Sequence, residues 1–202
     1  MKILKEIASV SASAANVIVS ITDIINAFSK KKKNFSVLVL DAHLDFKDVY
    51  ENNRESHACV VRRISDIVGV ENIAVLGVRS GTKDEFEEGK KAGLFYLNSF
   101  EINKNGIDWA LDQVLKKFKN KEVYITLDID SIDPSYAPGT STPEPFGLVP
   151  FDILNCIEKF SSQLIGFDIV EVCPPYDKGE TAILAARLLR YLITEVSLKK
   201  HN

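Results

Sequence analysis

Short runs of β-branched and other apolar residues alternate along the chain with stretches whose apolar residues recur at helical spacing, which restricts the fold to strands and helices in alternation. The runs are residues 17–21, 37–40, 73–78, 94–97, 123–127 and 165–172, each nearly continuous in apolar side chains. Strands of that kind are buried on both faces, as in a parallel sheet. Between them, Ile107, Leu111, Val114, Leu115 and Phe118 recur at helical spacing, as do Ile153, Cys156, Ile157 and Phe160. The last segment, 180–198, follows Asp177-Lys178-Gly179 and is apolar on more than one face, which predicts a largely buried helix. The pattern predicts an α/β fold, a three-layer α/β/α sandwich with a mostly parallel sheet, as a single domain over residues 1–202. The Pro- and Gly-rich stretch 134–150 is then a loop inside the domain.

With 202 residues, of which 46% are hydrophobic, the chain can bury a three-layer core. Its net charge of −3 comes from well-mixed charges, and the one basic cluster, Lys30 to Lys33, reads as the solvated end of a helix. Neither nucleic acid nor an anionic membrane is an implied partner. The N-terminal residues read as a helix followed by the strand at 17–21, because Glu6 interrupts what would be the apolar core of a signal peptide. No apolar run approaches the roughly 18 residues of a membrane span, so a cytoplasmic protein is expected. Cys59, Cys156 and Cys173 are odd in number and far apart, which predicts reduced thiols.

Asp41, His43 and Asp45 stand at every second position just where the apolar run 37–40 ends. On an extended chain such positions point to one side, and ligands of parallel α/β sheets bind beyond the carboxyl ends of the strands. Taken alone, this DxHxD segment reads as a capped turn with satisfied polar groups before it reads as a set of metal ligands. A second acidic cluster, Asp128 and Asp130, follows the run 123–127 in the same way. Carboxylates gathered at one sheet edge cannot all stay ionised without cations. Oxygen-rich ligation with a single imidazole suits Mn²⁺ better than a structural Zn²⁺ site, which favours Cys and His. Asp133 precedes Pro134 and is ordinary turn chemistry, outside the metal set.

The segments "DAHLDF", "TLDIDSIDPSYAPGTSTPEPFGL" and "GFDIVEVCPPYD" resemble three signature segments of the ureohydrolase family, which includes arginase and agmatinase, and they occur in the family's order. The resemblance implies an arginase-like sandwich that hydrolyses a small guanidino substrate to urea and an amine with two Mn²⁺ ions. It makes Asp41 and Asp128 bridging carboxylates, gives His43 and Asp130 to one ion, and gives Asp45 to the other. Glu171, in "VEVCPP", falls where the family holds the guanidinium, and a carboxylate matches that planar fork in bidentate fashion. Without the motif it reads as a loop-edge acid in a surface ion pair. His57, in "RESHACVVRR", resembles the family's histidine that passes a proton to the leaving amine; alone, it is an ordinary loop histidine. "SHACVVRR" is similar to the agmatinase pattern, which implies agmatine as substrate and a place in polyamine metabolism. Glu51 and Glu55 are then the acids available for its distal ammonium.

The family's upstream Gly-Gly-Asp-His-Ser motif is missing. "NVIVSITDIINAF" takes its place, with Ile18 and Val19 at the Asp and His positions, and neither binds a metal. The resemblance therefore implies a sheet lacking the family's first strand, with one intact Mn²⁺ position and one weakened. The edge left open invites pairing, so a homo-oligomer is expected. The expected activity is that of an agmatinase-like hydrolase, possessing reduced turnover. The alternatives are a non-catalytic pseudoenzyme acting as a binding or assembly subunit, and a guanidinobutyrase or arginase-type amidinohydrolase.

Overall fold

The computed structural model describes residues 14–32, 34–119 and 121–199, with side chains in the first helix described from Ile21 onward. Five strands form one sheet: β1 Phe35–Leu40, β2 Ile73–Val78, β3 Phe95–Asn98, β4 Glu122–Asp128 and β5 Leu164–Val170. Their order is β3-β2-β1-β4-β5, and every pair is parallel. Parallel pairing requires a crossover between strands, and helices supply it. They are α1 Ala14–Lys31, α2 Val60–Val68, α3 Lys83–Ala92, α4 Ser99–Asn105, α5 Ile107–Phe118, α6 Pro150–Phe160 and α7 Glu180–Lys199.

Side-chain alternation in β1 separates two cores. Val37 and Val39 join Ile21, Ile25, Val61 and Ile64, the buried residues of α1 and α2. Leu38 and Leu40 face the other way and join Ile102, Leu111, Val114, Ile153, Ile157, Leu188 and Leu192, from α4 to α7. A sheet buried on both faces gives the three layers that the continuous apolar runs predict.

Three expectations need correction. Residues 17–21 are not a strand but lie in the early turns of α1. A short β-branched run is ambiguous by itself, and the spacing Ile21, Ile25 and Phe28 that continues it has the period of a helix face. The helix expected before it falls on residues outside those described. The second correction concerns α7, which buries Thr181, Leu188 and Leu192 while Ile183 and Ile193 stay exposed, so it rests on the sheet by one stripe. Finally, β5 ends at Val170, two residues before the apolar run does, which frees Glu171 from the sheet. The basic cluster does end a helix, with Lys30 and Lys31 in the last turn of α1, where positive charge meets the carbonyl end. The three cysteines are free thiols.

Candidate metal centre

The carboxyl ends of β1 and β4, adjacent in the sheet, carry the two acidic segments. Extended pairing continues past β1: the Asp41 N–H donates to the Leu76 carbonyl (3.0 Å), and the Ala42 carbonyl accepts from the N–H groups of Arg79 (2.8 Å) and Ser80 (3.0 Å). Asp41 and His43 therefore keep the alternation of the strand. Asp45 ends it, with a left-handed φ of 50°, a conformation that is uncommon away from glycine and recurs at functional sites. After β4 the chain does not stay extended. Residues Ile129–Ser131 make one turn of 3₁₀ helix, opened by the Asp130 N–H donating to an Asp128 carboxylate oxygen (2.9 Å).

That turn carries Asp130 back beneath β1. One of its oxygens accepts from the Ala42 N–H (3.1 Å), and the other lies 3.0 Å from His43 Nδ1 and 3.3 Å from the Thr142 hydroxyl. Asp41 accepts from the His43 N–H (2.6 Å) and sits 3.5 Å from His43 Nδ1. Asp41, His43 and Asp130 thus offer ligand atoms that all lie within 4.8 Å of one another. Asp45 and Asp128 line the same cavity, of about 530 Å³, but do not join that tight group.

The electrostatics of this cluster calls for positive charge. Burial, with the Asp130 charge beside it, pushes the Asp41 carboxyl up to about 7. Burial and neighbouring acids raise Asp45 and Asp128 well above the carboxylate range. Burial works against a charged His43, yet hydrogen bonds to Asp130 and Asp41 and their charges outweigh it and push the imidazole up to about 11. Without a cation, protons and an imidazolium take its place. Four carboxylates and one imidazole form a donor set that suits a hard or borderline divalent ion, so these residues fit a manganese-type centre.

The rest of the wall places the other predicted residues. His57 opens a 3₁₀ turn at the cavity rim, its ring edge-on to Tyr50 with centroids 5.6 Å apart. Glu171 also lines the cavity, held in a left-handed turn (φ 58°) and accepting from the Ser141 hydroxyl (3.0 Å). Glu51 and Glu55 are exposed and are not among the lining residues. A further acid that lines the cavity is Glu85, in the first turn of α3; it accepts from the Phe46 N–H (2.9 Å) and the Thr82 N–H (3.3 Å). Sequence reasoning missed it, although Thr82-Lys83-Asp84-Glu85 has the spacing of a capping box. It also missed Ser141 and Thr142, whose only signal is their place in the motif "GTSTPEP". Asp133 behaves as a turn residue, accepting from the Ser135 and Gly147 N–H groups.

A model of the arginase family matches residues 19–194. The chain belongs to the arginase family. Among its relatives is the agmatinase of Bacillus anthracis, 35% identical over 174 residues, which are 84% of this chain and 58% of that protein. Arginase 1, mitochondrial, of Arabidopsis thaliana is equally 35% identical, over 178 residues covering 86% of this chain and 51% of that protein. The solved agmatine ureohydrolase of Thermoplasma volcanium superposes with a TM-score of 0.83 at 36% identity, covering 95% of this chain and 73% of the other. The chain spans a little over half the length of these two sequence relatives.

Proposed function

We propose that this chain forms, as a single domain, a ureohydrolase centre acting on a small cationic guanidino compound, with agmatine the best fit. The observation that carries this reading is the wall of one cavity: Asp41, Asp45, Asp128 and Asp130 line it as candidate metal ligands, and the acids left over, Glu85 and Glu171, stand against a single lysine among the described residues, Lys47. Such a wall favours a substrate cationic at both ends over one with an α-carboxylate. Relatives named agmatinase support the same choice.

Two Mn²⁺ ions would be held by this donor set, His43 and Asp130 serving one, Asp45 the other, and Asp41 and Asp128 contributing to both. Such ions lower the pKa of water and make it a nucleophile at neutral pH. Glu171, oriented by the Ser141 hydroxyl, accepts the planar N–H fork of the guanidinium and sets its carbon toward the acids. Water oxygen adds to that carbon, its bond to the alkyl-bearing nitrogen breaks, and His57 at the rim delivers a proton to the departing amine, leaving urea. The second ion would be held less well, since among the described residues only Asp41, His43 and Asp130 form a tight group. No helix among the described residues is long and apolar enough to cross a membrane, which agrees with a cytoplasmic place. A homo-oligomer fits a sheet whose β5 has no strand on its outer side among the described residues.

The experiment is urea release with Mn²⁺ from agmatine, guanidinobutyrate and arginine. Release from agmatine above the other two supports the reading, and release from guanidinobutyrate or arginine instead reassigns the substrate. Binding of Mn²⁺ and guanidinium with no release from any of them would leave a non-catalytic subunit.

A further inference from the structure

Among the described residues, the guanidinium of Arg79, just beyond β2, meets no carboxylate within ion-pair distance but only main-chain carbonyls. Nη2 donates to Asp130 (2.7 Å) and Glu144 (2.6 Å), Nη1 to Gly77 (3.0 Å) and Ser131 (3.3 Å), and Nε to Pro145 (3.0 Å) and Glu144 (3.1 Å). The planar fork of donors is thereby used on all three nitrogens. The backbone N–H of the same residue donates to the Ala42 carbonyl (2.8 Å), between Asp41 and His43. Arg79 therefore joins the strand end carrying Asp41 and His43, the turn carrying Asp130, and the loop ending at Gly147. Gly147 has no room for a side chain, since a Cβ there would lie 2.5 Å from the Asp133 backbone nitrogen and 2.7 Å from Arg79 Nη2.

We propose that Arg79 is a positioning residue of the metal centre, which fixes Asp130 against Asp41 and His43 by clamping the carbonyls of the turn and of the adjoining loop. This rests on the proposed reading of those three residues as metal ligands. Partners that orient ligands without touching the metal affect affinity by about 10- to 100-fold when removed. Lysine keeps the charge of arginine and lacks the fork, so Arg79→Lys isolates the geometry.

The test is Mn²⁺ titration of the metal-free protein, read by the isotherm and by the electron paramagnetic resonance of bound Mn²⁺, beside the thermal melt of the metal-free form. Arg79→Lys should fold cooperatively and bind Mn²⁺ about ten-fold more weakly or worse, with an altered resonance. A lowered melt with Mn²⁺ affinity within about two-fold of the parent overturns the inference and leaves Arg79 a fold determinant. Asp130→Asn separates the two readings: if it binds Mn²⁺ like the parent, the metal centre itself is misassigned and the inference falls with it. If only Asp130→Asn loses metal, Arg79 alone is misassigned. Should Arg79→Lys not fold, Arg79→Gln, which keeps an amide donor but not the three-nitrogen fork, takes its place and must weaken Mn²⁺ to the same degree; failure of both to fold overturns the positioning role.

Discussion

Single residues divide the site's work by what they touch. Asp41 and Asp128 sit on neighbouring strand ends, and a carboxylate shared between two ions contributes to both. In the proposed assignment both ions share Asp41 and Asp128 while Asp45 serves one, so Asp41→Ala or Asp128→Ala should abolish Mn²⁺ binding, whereas Asp45→Ala should leave part of it. Metal analysis of the three dialysed variants reads this directly, and equal, undiminished metal in all of them would refute the assignment. In the proposed reading Glu171 has a different partner, the substrate guanidinium. Glu171→Gln keeps the shape and removes the charge facing a guanidinium, so affinity for guanidinium ligands should fall by about 2–5 kcal/mol while metal content stays at the parental value. Isothermal titration with a non-hydrolysed guanidino ligand measures the loss. Of these residues the sequence marks the metal-site acids by their spacing after apolar runs, but Glu171 by its motif alone. The left-handed turn that aims Glu171 is invisible in one-dimensional spacing, because any loop residue can adopt it when the surrounding packing requires it.

At the scale of elements, β4 and β5 are tied by more than their ladder. Asp168, buried in β5, accepts from the Tyr124 hydroxyl (2.6 Å) and the Thr126 hydroxyl (2.6 Å), both in β4. Burial outweighs these two hydrogen bonds and pushes its carboxyl up to about 6. A folded-state pKa above the unfolded value of 3.8 means that the protonated acid favours the folded state. The contribution is full below about pH 4 and is lost as pH rises through about 6, an amount on the order of 3 kcal/mol from the pKa difference. Denaturant midpoints of the parent and of Asp168→Asn, compared from pH 4 to 7, should show the parent losing stability relative to the variant across that window. A difference independent of pH would mean that Asp168 titrates elsewhere. The helix α1 teaches the complementary lesson. Its β-branched start resembles a strand over five residues, and only the docking of Ile21 and Ile25 against β1 and α2 decides otherwise, since tertiary burial readily overrides weak local propensity.

For the whole molecule, a centre assembled from two distant segments should couple metal binding to folding. Asp41 and Asp130 share a cavity only when β1 and β4 lie side by side, so the unfolded chain offers no comparable site. Mn²⁺ at about 100 times its dissociation constant should add roughly 2.7 kcal/mol. For a domain of this size that raises the melting temperature by roughly 5–11 °C over the chelator-treated protein, which calorimetry measures. No rise, with Mn²⁺ shown to bind, would mean that the unfolded chain binds it as well. By itself the sequence determined the alternation of strands and helices, the parallel sheet, the two acidic segments at strand ends and the membership implied by "DAHLDF" and "TLDID", because period and spacing are properties of chain neighbours. Only the tertiary structure decided that residues 17–21 are helical, that Asp41, His43 and Asp130 form the tight group while Asp45 turns aside, that Glu85 lines the cavity, and that the Arg79 guanidinium donates to the Asp130 and Glu144 carbonyls. Those outcomes depend on which strands become neighbours and on where buried donors find acceptors, and neither is encoded within the reach of a local pattern.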